Sequence, residues 1–162
     1  MSKTGIVVDP LEFARQRRQR SGEIPLSSFD RLADALASRE GSATFSIQGF
    51  SGKDGAFLDL EVSGVLQVTC QRCLGPLDVP VEISNRLLLI PAGGVEPEGE
   101  LADDTFDAIP AEPEMDLLTL VEDELVLALP LAPRHDHCDS PGAKATGGKP
   151  NPFAALELLK RG

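Results

Sequence analysis

The chain is poor in aromatic residues and in cysteine. Its 162 residues contain seven Phe, no Trp and no Tyr, together with three Cys and two His. Exposed aromatic rings are the usual platforms on which proteins stack unpaired bases, so a stacking surface for single-stranded nucleic acid is disfavoured. A small, odd number of cysteines also argues against the disulfide framework of a secreted protein.

Long apolar runs are absent as well. The apolar start of the chain, "GIVV", is interrupted at once by Asp9 and Pro10, so it lacks the length of a signal-peptide core. No run approaches the roughly 18 to 20 residues that a membrane helix requires. We therefore expect a cytoplasmic protein without a membrane partner.

Positive charge is scarce. The chain has 26 acidic and 15 basic residues, which gives a formal net charge of −11. Because such a surface repels phosphate, RNA contact is expected only where arginines are concentrated. Those residues are Arg15, Arg17, Arg18 and Arg20 in "RQRRQR", and Arg72 between two cysteines. A solubilising helix face explains the "RQRRQR" stretch equally well.

Alternation of apolar and polar residues with period two is the strongest structural signal. It runs through residues 58–70 and again through residues 77–89, which predicts two long strands of an antiparallel hairpin. Pro80 lies on the polar side of the second strand and lacks an N–H, so we expect an unpaired edge there. Residues 42–50 and the "TGIVV" stretch near the start are further candidate strands.

Helices are fewer. The segment at residues 11–20 is a marginal helix or a basic arm, and residues 26–39 place apolar side chains along one face of a second helix. Asp116 can cap a third helix that Pro130 ends, and Asn151 can cap a short helix at the C-terminus. We predict one α+β domain over residues 1–162. An antiparallel sheet would be built on the central hairpin, with Cys-x-x-Cys at its tip and a few helices at its flanks.

Two connecting stretches have a biased composition. Between Arg86 and Arg134 there is no Lys or Arg, whereas the same span holds twelve Asp and Glu. Residues 91–115 of this span are also rich in Pro and Gly, which predicts an acidic, mobile loop. Residues 139–152 are predicted to be a flexible linker to the C-terminal helix.

All Cys and His residues fall in two short clusters, "CQRC" and "HDHC". Structural zinc sites are tetrahedral and favour these two residue types, and a Cys-x-x-Cys turn directs both sulfurs at one point, as in a zinc knuckle. We therefore predict a structural Zn²⁺ held by Cys70, Cys73 and Cys138, with His135 or His137 as the fourth ligand. His135 is preferred because its three-residue step to Cys138 suits chelation.

Other interpretations of these residues stay open. The cysteines can be ordinary core or surface residues, or a redox pair, although a redox motif is normally followed by a helix rather than a strand. The acidic triplet Glu122, Asp123 and Glu124 would fan out around a helix, so a solvated face is favoured over converging catalytic carboxylates. With no nucleotide-binding loop either, we do not expect an enzyme.

Three blocks of sequence resemble a known family. "VTCQRCLGPL", "MDLLTLVEDELVLALPLAPRHDHC" and "KPNPFAALELLKRG" are similar to the YceD family of large ribosomal RNA subunit accumulation proteins, over roughly residues 62–162. The resemblance implies a small bacterial protein that supports synthesis, processing or stability of 23S ribosomal RNA, with a metal-binding cysteine motif. Carried over by position, the motif gives Cys70, Cys73, His135 and Cys138. Some relatives have a further Cys-x-x-Cys-Gly block where this chain has "DSPGAKATGGKP".

Two partner classes follow. In the first, the protein is a non-enzymatic ribosome-biogenesis factor that contacts precursor ribosomal RNA, a ribosomal protein or an assembly protein. In the second, it is an adaptor whose acidic loop docks a basic ribosomal or assembly protein without contacting RNA.

Overall fold

A five-stranded sheet forms the body of the protein. The computed structural model describes residues 5–94 and 105–138. The strand order in the main sheet is β2-β3-β4-β5-β6, and β1 and β7 form a separate two-stranded sheet. The elements in chain order are β1 (Val7–Val8), α1 (Pro10–Arg15), β2 (Gln19–Pro25), a 3₁₀ turn (Leu26–Ser28), α2 (Asp30–Ala33), β3 (Ser42–Gly52), β4 (Gly55–Thr69), β5 (Pro76–Ile90), β6 (Asp107–Pro110), β7 (Met115–Asp116) and α3 (Leu117–Ala128).

The predicted central hairpin is confirmed. β4 and β5 pair antiparallel over their whole length, from Ala56 opposite Leu89 to Thr69 opposite Pro76 at the tip. β6 pairs in parallel with only the last four residues of β5, Leu87–Ile90. Pro80 lies earlier in β5, where the outer edge of the strand has no partner among the described residues. An unpaired edge is where a residue without an N–H is tolerated.

The two faces of the sheet differ in burial, as the alternating pattern predicts. Ile47, Leu60 and Leu66 point into one core, which α1, α2 and α3 cover from the same side. Thr44 and Glu61 lie on the opposite, exposed face. Burial of each large apolar side chain contributes about 1.5–3 kcal/mol, so this one-sided core holds the helices to the sheet. The α+β class and the single domain are confirmed.

The predicted basic helix or arm at residues 11–20 is divided between a helix and a strand. The Asp9 side chain accepts a hydrogen bond from the Glu12 N–H and Pro10 begins α1. Arg17 then adopts a left-handed backbone conformation, with φ of 50°, which ends the helical run. The following residues begin β2, a strand that the sequence pattern did not reveal.

The helix predicted over residues 26–39 is mostly wrong. Phe29 is extended and separates the 3₁₀ turn from α2, which has only four residues. Beyond α2 the chain turns to the sheet: Leu36 forms an isolated bridge with Val68, and the Ala37 N–H donates to the Gln67 carbonyl at 2.7 Å. Pairing with a strand edge satisfies the backbone groups that a longer helix would have satisfied internally.

The prediction for α3 is confirmed at both ends. The Asp116 side chain accepts a hydrogen bond from the Leu118 N–H at 3.0 Å, and the helix ends before Pro130. The solvated acidic face is wrong at one position, because Glu122 is only 2% exposed and is hydrogen-bonded to α2. None of the described helices has both the length and the apolar character needed to cross a membrane.

The acidic segment at residues 91–115 is not a loop throughout. Asp107–Pro110 forms β6, in which Ala108 and Ile109 lie opposite Leu88 and Leu89, and Met115–Asp116 forms β7 against β1. Ala108 and Ile109 therefore belong to the sheet. The acidic composition of the segment gave no indication of this pairing. Residues 95–104, the linker at 139–152 and the predicted C-terminal helix lie outside the described residues, and the mobility of the acidic segment stays a prediction.

Candidate metal centre

The tip of the β4–β5 hairpin is a compact turn that carries both cysteines of the Cys-x-x-Cys motif. The Leu74 N–H donates to the Cys70 carbonyl at 2.9 Å, and the Cys70 N–H donates to the Gly75 carbonyl at 2.9 Å. Leu74 has a left-handed backbone, with φ of 61°, which closes the turn. The Arg72 N–H is directed at the Cys70 sulfur, 3.5 Å away. The local sequence thus presents the two sulfurs on one side of the tip.

The segment after α3 packs against this tip and is hydrogen-bonded to it. The Gln71 N–H donates to the Pro133 carbonyl at 2.8 Å. His135 Nε2 lies 3.0 Å from the carbonyl oxygen of Pro76, at the start of β5. These two contacts bring a segment more than fifty residues away in sequence onto the hairpin, and we call it the ligand loop (residues 133–138).

Four potential metal ligands meet between the tip and the ligand loop. Cys70, Cys73, His135 and Cys138 each offer one atom, and these four atoms all lie within 4.8 Å of one another. The Cys70 and Cys138 sulfurs are 3.6 Å apart, and His135 Nδ1 is 3.4 Å from the Cys73 sulfur and 3.8 Å from the Cys138 sulfur. All three cysteines are free thiols, so no disulfide explains their proximity.

These separations fit a tetrahedral zinc site. Zn–S bonds of about 2.3 Å and Zn–N bonds of about 2.0–2.1 Å place sulfurs about 3.8 Å apart, and sulfur and nitrogen about 3.5 Å apart. The observed contacts lie close to both values. If Nε2–H donates a hydrogen bond to the Pro76 carbonyl, the lone pair of Nδ1 is directed towards the sulfurs. An outer hydrogen bond of this kind orients a metal-binding imidazole.

The electrostatics of the cluster favour a cation. Burial raises the pKa of the Cys70 thiol, but hydrogen bonds from the backbone N–H groups of Cys73, His135 and Arg72 outweigh it and lower the pKa to about 5. A hydrogen bond from the Gly75 N–H favours the Cys73 thiolate, yet burial and the other two sulfurs raise its pKa. Crowded sulfurs oppose each other's ionisation, and a divalent cation among them would relieve that repulsion.

The histidine and the third cysteine are also perturbed. Contacts with Cys138 and Cys70 raise the pKa of His135, because the imidazolium faces sulfurs that carry negative charge. The hydrogen bond from Arg72 lowers the pKa of Cys138. The imidazole of His135 therefore binds its proton more tightly than a free imidazole does, and a cation at this site would compete with that proton.

Arg72 contacts the ligand loop directly. Its Nε donates to the Cys138 sulfur at 3.0 Å, and its Nη2 donates to the carbonyls of His135 at 3.3 Å and Asp136 at 3.4 Å. The contact with Cys138 raises the pKa of the guanidinium. The sequence analysis predicted Arg72 as an RNA contact. Nothing in the sequence indicated that its side chain contacts the Cys138 sulfur.

The remaining sequence candidates lie elsewhere. His137 is exposed and is not among the four grouped ligand atoms, so the structure brings His135 rather than His137 to the cysteines. Arg15, Arg17, Arg18 and Arg20 are exposed around the end of α1 and the start of β2. They are separate from the metal cluster and form a second basic feature of the surface.

A surface concavity lies on the exposed face of the sheet. It encloses about 590 Å³ and is lined by hydroxyls and carboxylates, among them Thr44, Ser46, Glu61, Ser63 and Glu82. It contains no Cys or His. The concavity is therefore unrelated to the metal cluster.

The fold and the cluster together define a small α+β protein with a Cys/His centre at a hairpin tip. The model of the family "Large ribosomal RNA subunit accumulation protein YceD" matches residues 58–160, which is more than half of the chain and includes the whole cluster. The chain belongs to this family.

One curated relative resembles almost the full chain. It is the protein of Haemophilus influenzae named "Large ribosomal RNA subunit accumulation protein YceD", 29% identical over 180 aligned residues that cover 98% of this chain and 97% of the relative. No solved structure matches the chain.

Proposed function

We propose that this protein is a non-enzymatic ribosome-biogenesis factor that supports the accumulation of 23S ribosomal RNA in the cytoplasm. The observation that carries the proposal is membership of a family named for accumulation of the large ribosomal RNA subunit, over a region that contains most of the hairpin, α3 and the cluster. The relative of almost equal length bears the same name. Accumulation is a statement about RNA level, so the proposed role covers synthesis, processing or stability of that RNA.

We further propose that Cys70, Cys73, His135 and Cys138 hold a structural Zn²⁺. Four protein ligands complete a tetrahedral shell and leave no position for an activated water, which is the arrangement of structural rather than catalytic zinc. Cys70 is fully buried, so the centre faces the interior on one side. A bound ion would tie the ligand loop, and with it the end of α3, to the tip of the hairpin.

Elemental analysis of the purified native protein tests the zinc. We expect about one zinc per chain, and its loss in Cys70→Ser. Chelation should lower the melting temperature of the wild-type chain and leave that of the variant almost unchanged, because binding energy at such a site is folding energy. A wild-type chain that purifies without metal, and melts identically with and without chelator, contradicts the zinc centre.

The proposed RNA-contacting surface is the arginine turn, defined as Arg15, Arg17, Arg18 and Arg20. All four side chains are exposed, and β2 lies at the edge of the sheet. Among the described residues the Lys/Arg ion pairs belong to Arg31 and Arg86, and the arginine turn forms none. The positive charge of the arginine turn is therefore available to bind phosphate, whereas the negative net charge of the whole chain repels RNA.

A salt titration of RNA binding tests this surface. We expect Arg17→Ala/Arg18→Ala/Arg20→Ala to lose most of the affinity for large-subunit precursor RNA. The slope of log K against log salt should fall in magnitude by roughly 2 to 3, about one for each phosphate contact removed. Arg39→Ala, at an exposed arginine outside the turn, is the control. Unchanged RNA binding in the triple variant contradicts the assignment.

The adaptor is the second candidate function, and the exposed face of the sheet favours it. Glu23, Glu61, Asp78 and Glu82 are exposed there, around the concavity. A basic ribosomal or assembly protein would complement that charge. If the purified chain has no affinity for RNA but recovers such a protein from cells, and Glu61→Gln/Glu82→Gln reduces the recovery, the adaptor replaces direct RNA contact.

Depletion of the protein in its bacterial host tests the cellular role common to both candidates. We expect 23S ribosomal RNA to fall relative to 16S, and plasmid-borne wild-type protein to restore it. An unchanged ratio of the two RNAs contradicts the proposed function.

A further inference from the structure

We infer that Arg72 belongs to the metal centre as a positioning residue, and that it does not serve as a contact for RNA. Its guanidinium stabilises the ligating thiolate of Cys138 and holds the ligand loop on the hairpin tip. This inference rests on the zinc centre proposed above.

The geometry commits most of the guanidinium to the ligand loop. Nε donates to the Cys138 sulfur at 3.0 Å, and Nη2 is shared between the carbonyls of His135 and Asp136, at 3.3 and 3.4 Å. One planar group therefore bridges the middle of the Cys-x-x-Cys turn to three residues of the ligand loop. A bidentate contact with an RNA phosphate would have to compete with these contacts, because each pair of parallel N–H groups on the guanidinium includes Nη2.

The net charge of a zinc centre with these ligands explains why a guanidinium beside Cys138 is favourable. Three thiolates and a neutral imidazole around Zn²⁺ leave a net charge of about −1. The Arg72 guanidinium lies against one of the three sulfurs and balances that charge at short range. Hydrogen bonds from the outer shell tune and orient the ligands of a metal, and their loss typically weakens binding by about 10- to 100-fold.

The shape of the side chain matters as well as its charge. Arginine presents several N–H groups in one rigid plane, whereas lysine offers a single ammonium on a flexible stem. Only the planar group can reach the sulfur and the two carbonyls at once. A lysine at this position should keep the charge balance and lose the clamp on the ligand loop.

Competition with a chromophoric zinc chelator tests the inference on the purified full-length chain. We expect Arg72→Ala to bind zinc about 10- to 100-fold more weakly than wild type, and Arg72→Lys to fall between the two. Arg134→Ala is the matched control, because Arg134 is an exposed arginine beside His135. Its side chain forms no hydrogen bond or ion pair with the described residues. The control should stay within about threefold of wild type, since surface charges act weakly on their neighbours.

Two further readouts separate positioning from a general effect on folding. In excess chelator, Arg72→Ala should melt close to the wild-type temperature, because Arg72 is exposed and its surface contacts alone contribute little to stability. With Co²⁺ in place of zinc, the thiolate-to-cobalt absorption of Arg72→Ala should be weaker at equal cobalt concentration and recover when cobalt is in excess.

The outcomes distinguish a failure of the role proposed for Arg72 from a failure of the proposed zinc centre. If wild type binds zinc and Arg72→Ala binds it equally well but retains less RNA, Arg72 is an RNA contact and the inference is overturned while the zinc centre stands. If Arg72→Ala and Arg134→Ala weaken zinc equally, general charge explains the effect and the positioning role is overturned. If wild type itself binds no zinc, both fail.

Discussion

The carboxylate of Glu122, on α3, accepts hydrogen bonds from the backbone N–H groups of Arg31 and Leu32, at 2.7 and 3.2 Å. α2 is four residues long, and Phe29, the residue at its N-cap position, has no side-chain acceptor for these groups. The buried carboxylate of Glu122 on α3 therefore caps the N-terminus of α2 in place of a local side chain. The Arg31 guanidinium lies 3.5 Å from the same carboxylate and balances its charge.

Replacement of this carboxylate should destabilise the fold. We expect Glu122→Ala to lower the free energy of unfolding by about 2 to 3 kcal/mol, because it leaves buried N–H groups without a partner. Urea denaturation measures the change. Asp123→Asn is the control: Asp123 also pairs with Arg31, but at the surface, so its loss should cost less than about 1 kcal/mol. Equal effects of the two substitutions would contradict the capping role.

The two histidines should differ in their effect on metal binding. His135→Ala removes a proposed ligand, so we expect zinc affinity to fall by more than the roughly 10- to 100-fold that loss of an outer partner costs. His137→Ala, two positions along the same loop, should retain wild-type affinity because His137 is outside the cluster. Chelator competition on the matched pair decides the point, and a stronger loss in His137→Ala would make that residue the ligand.

Gly49 marks the closest approach of α1 to the sheet. A Cβ at this position would lie 2.7 Å from Phe13 Cδ1 and 2.8 Å from both Ala14 Cα and the Phe13 carbonyl oxygen. We expect Gly49→Ala to lower stability by about 1 to 3 kcal/mol through overpacking. Gly52→Ala, later in β3, meets nothing nearer than Phe50 Cε2 at 3.9 Å and should change stability by less than about 0.5 kcal/mol. Thermal or urea unfolding of the two variants compares them, and equal stabilities would exclude the close packing of α1.

Glu124 should make stability depend on pH. Partial burial raises the pKa of this carboxyl, and the charges of Asp107 and Asp123 add to that effect against a hydrogen bond from Asn85. The folded state therefore binds the proton more tightly than the unfolded state, so the stability contributed by protonation is lost as the pH rises through the folded-state pKa.

We accordingly expect Glu124→Gln to be more stable than wild type at neutral pH, by no more than about 1 kcal/mol because water screens the site. The difference should shrink as the pH falls below the ordinary carboxyl range. Unfolding at a series of pH values measures it, with exposed Glu112→Gln as the control. A variant that gains nothing at neutral pH, or gains more in acid, would contradict the assigned direction.

Sequence reasoning succeeded where the signal was local. Strict alternation located the β4–β5 hairpin, and Asp116 with Pro130 located α3. It failed where long-range contacts overrode local preference. Residues after Ala33 pair with β4 instead of extending α2, and Asp107–Pro110 joins the sheet from within an acidic segment. The same limit applies to Glu122, whose neighbours on the helix gave no sign that its carboxylate faces α2.

The amino-acid order alone determined which Cys and His residues were able to form the candidate metal centre, because the chain holds only five of them and all fall in two short clusters. It also determined the hairpin that presents two of them, since the alternation of side chains dictates a pair of strands. Only the tertiary structure placed His135, and not His137, beside the three cysteines, and only it directed Arg72 at Cys138. Those choices depend on how the segment after α3 packs back onto the hairpin tip, and contacts between distant segments leave no periodic pattern along the chain.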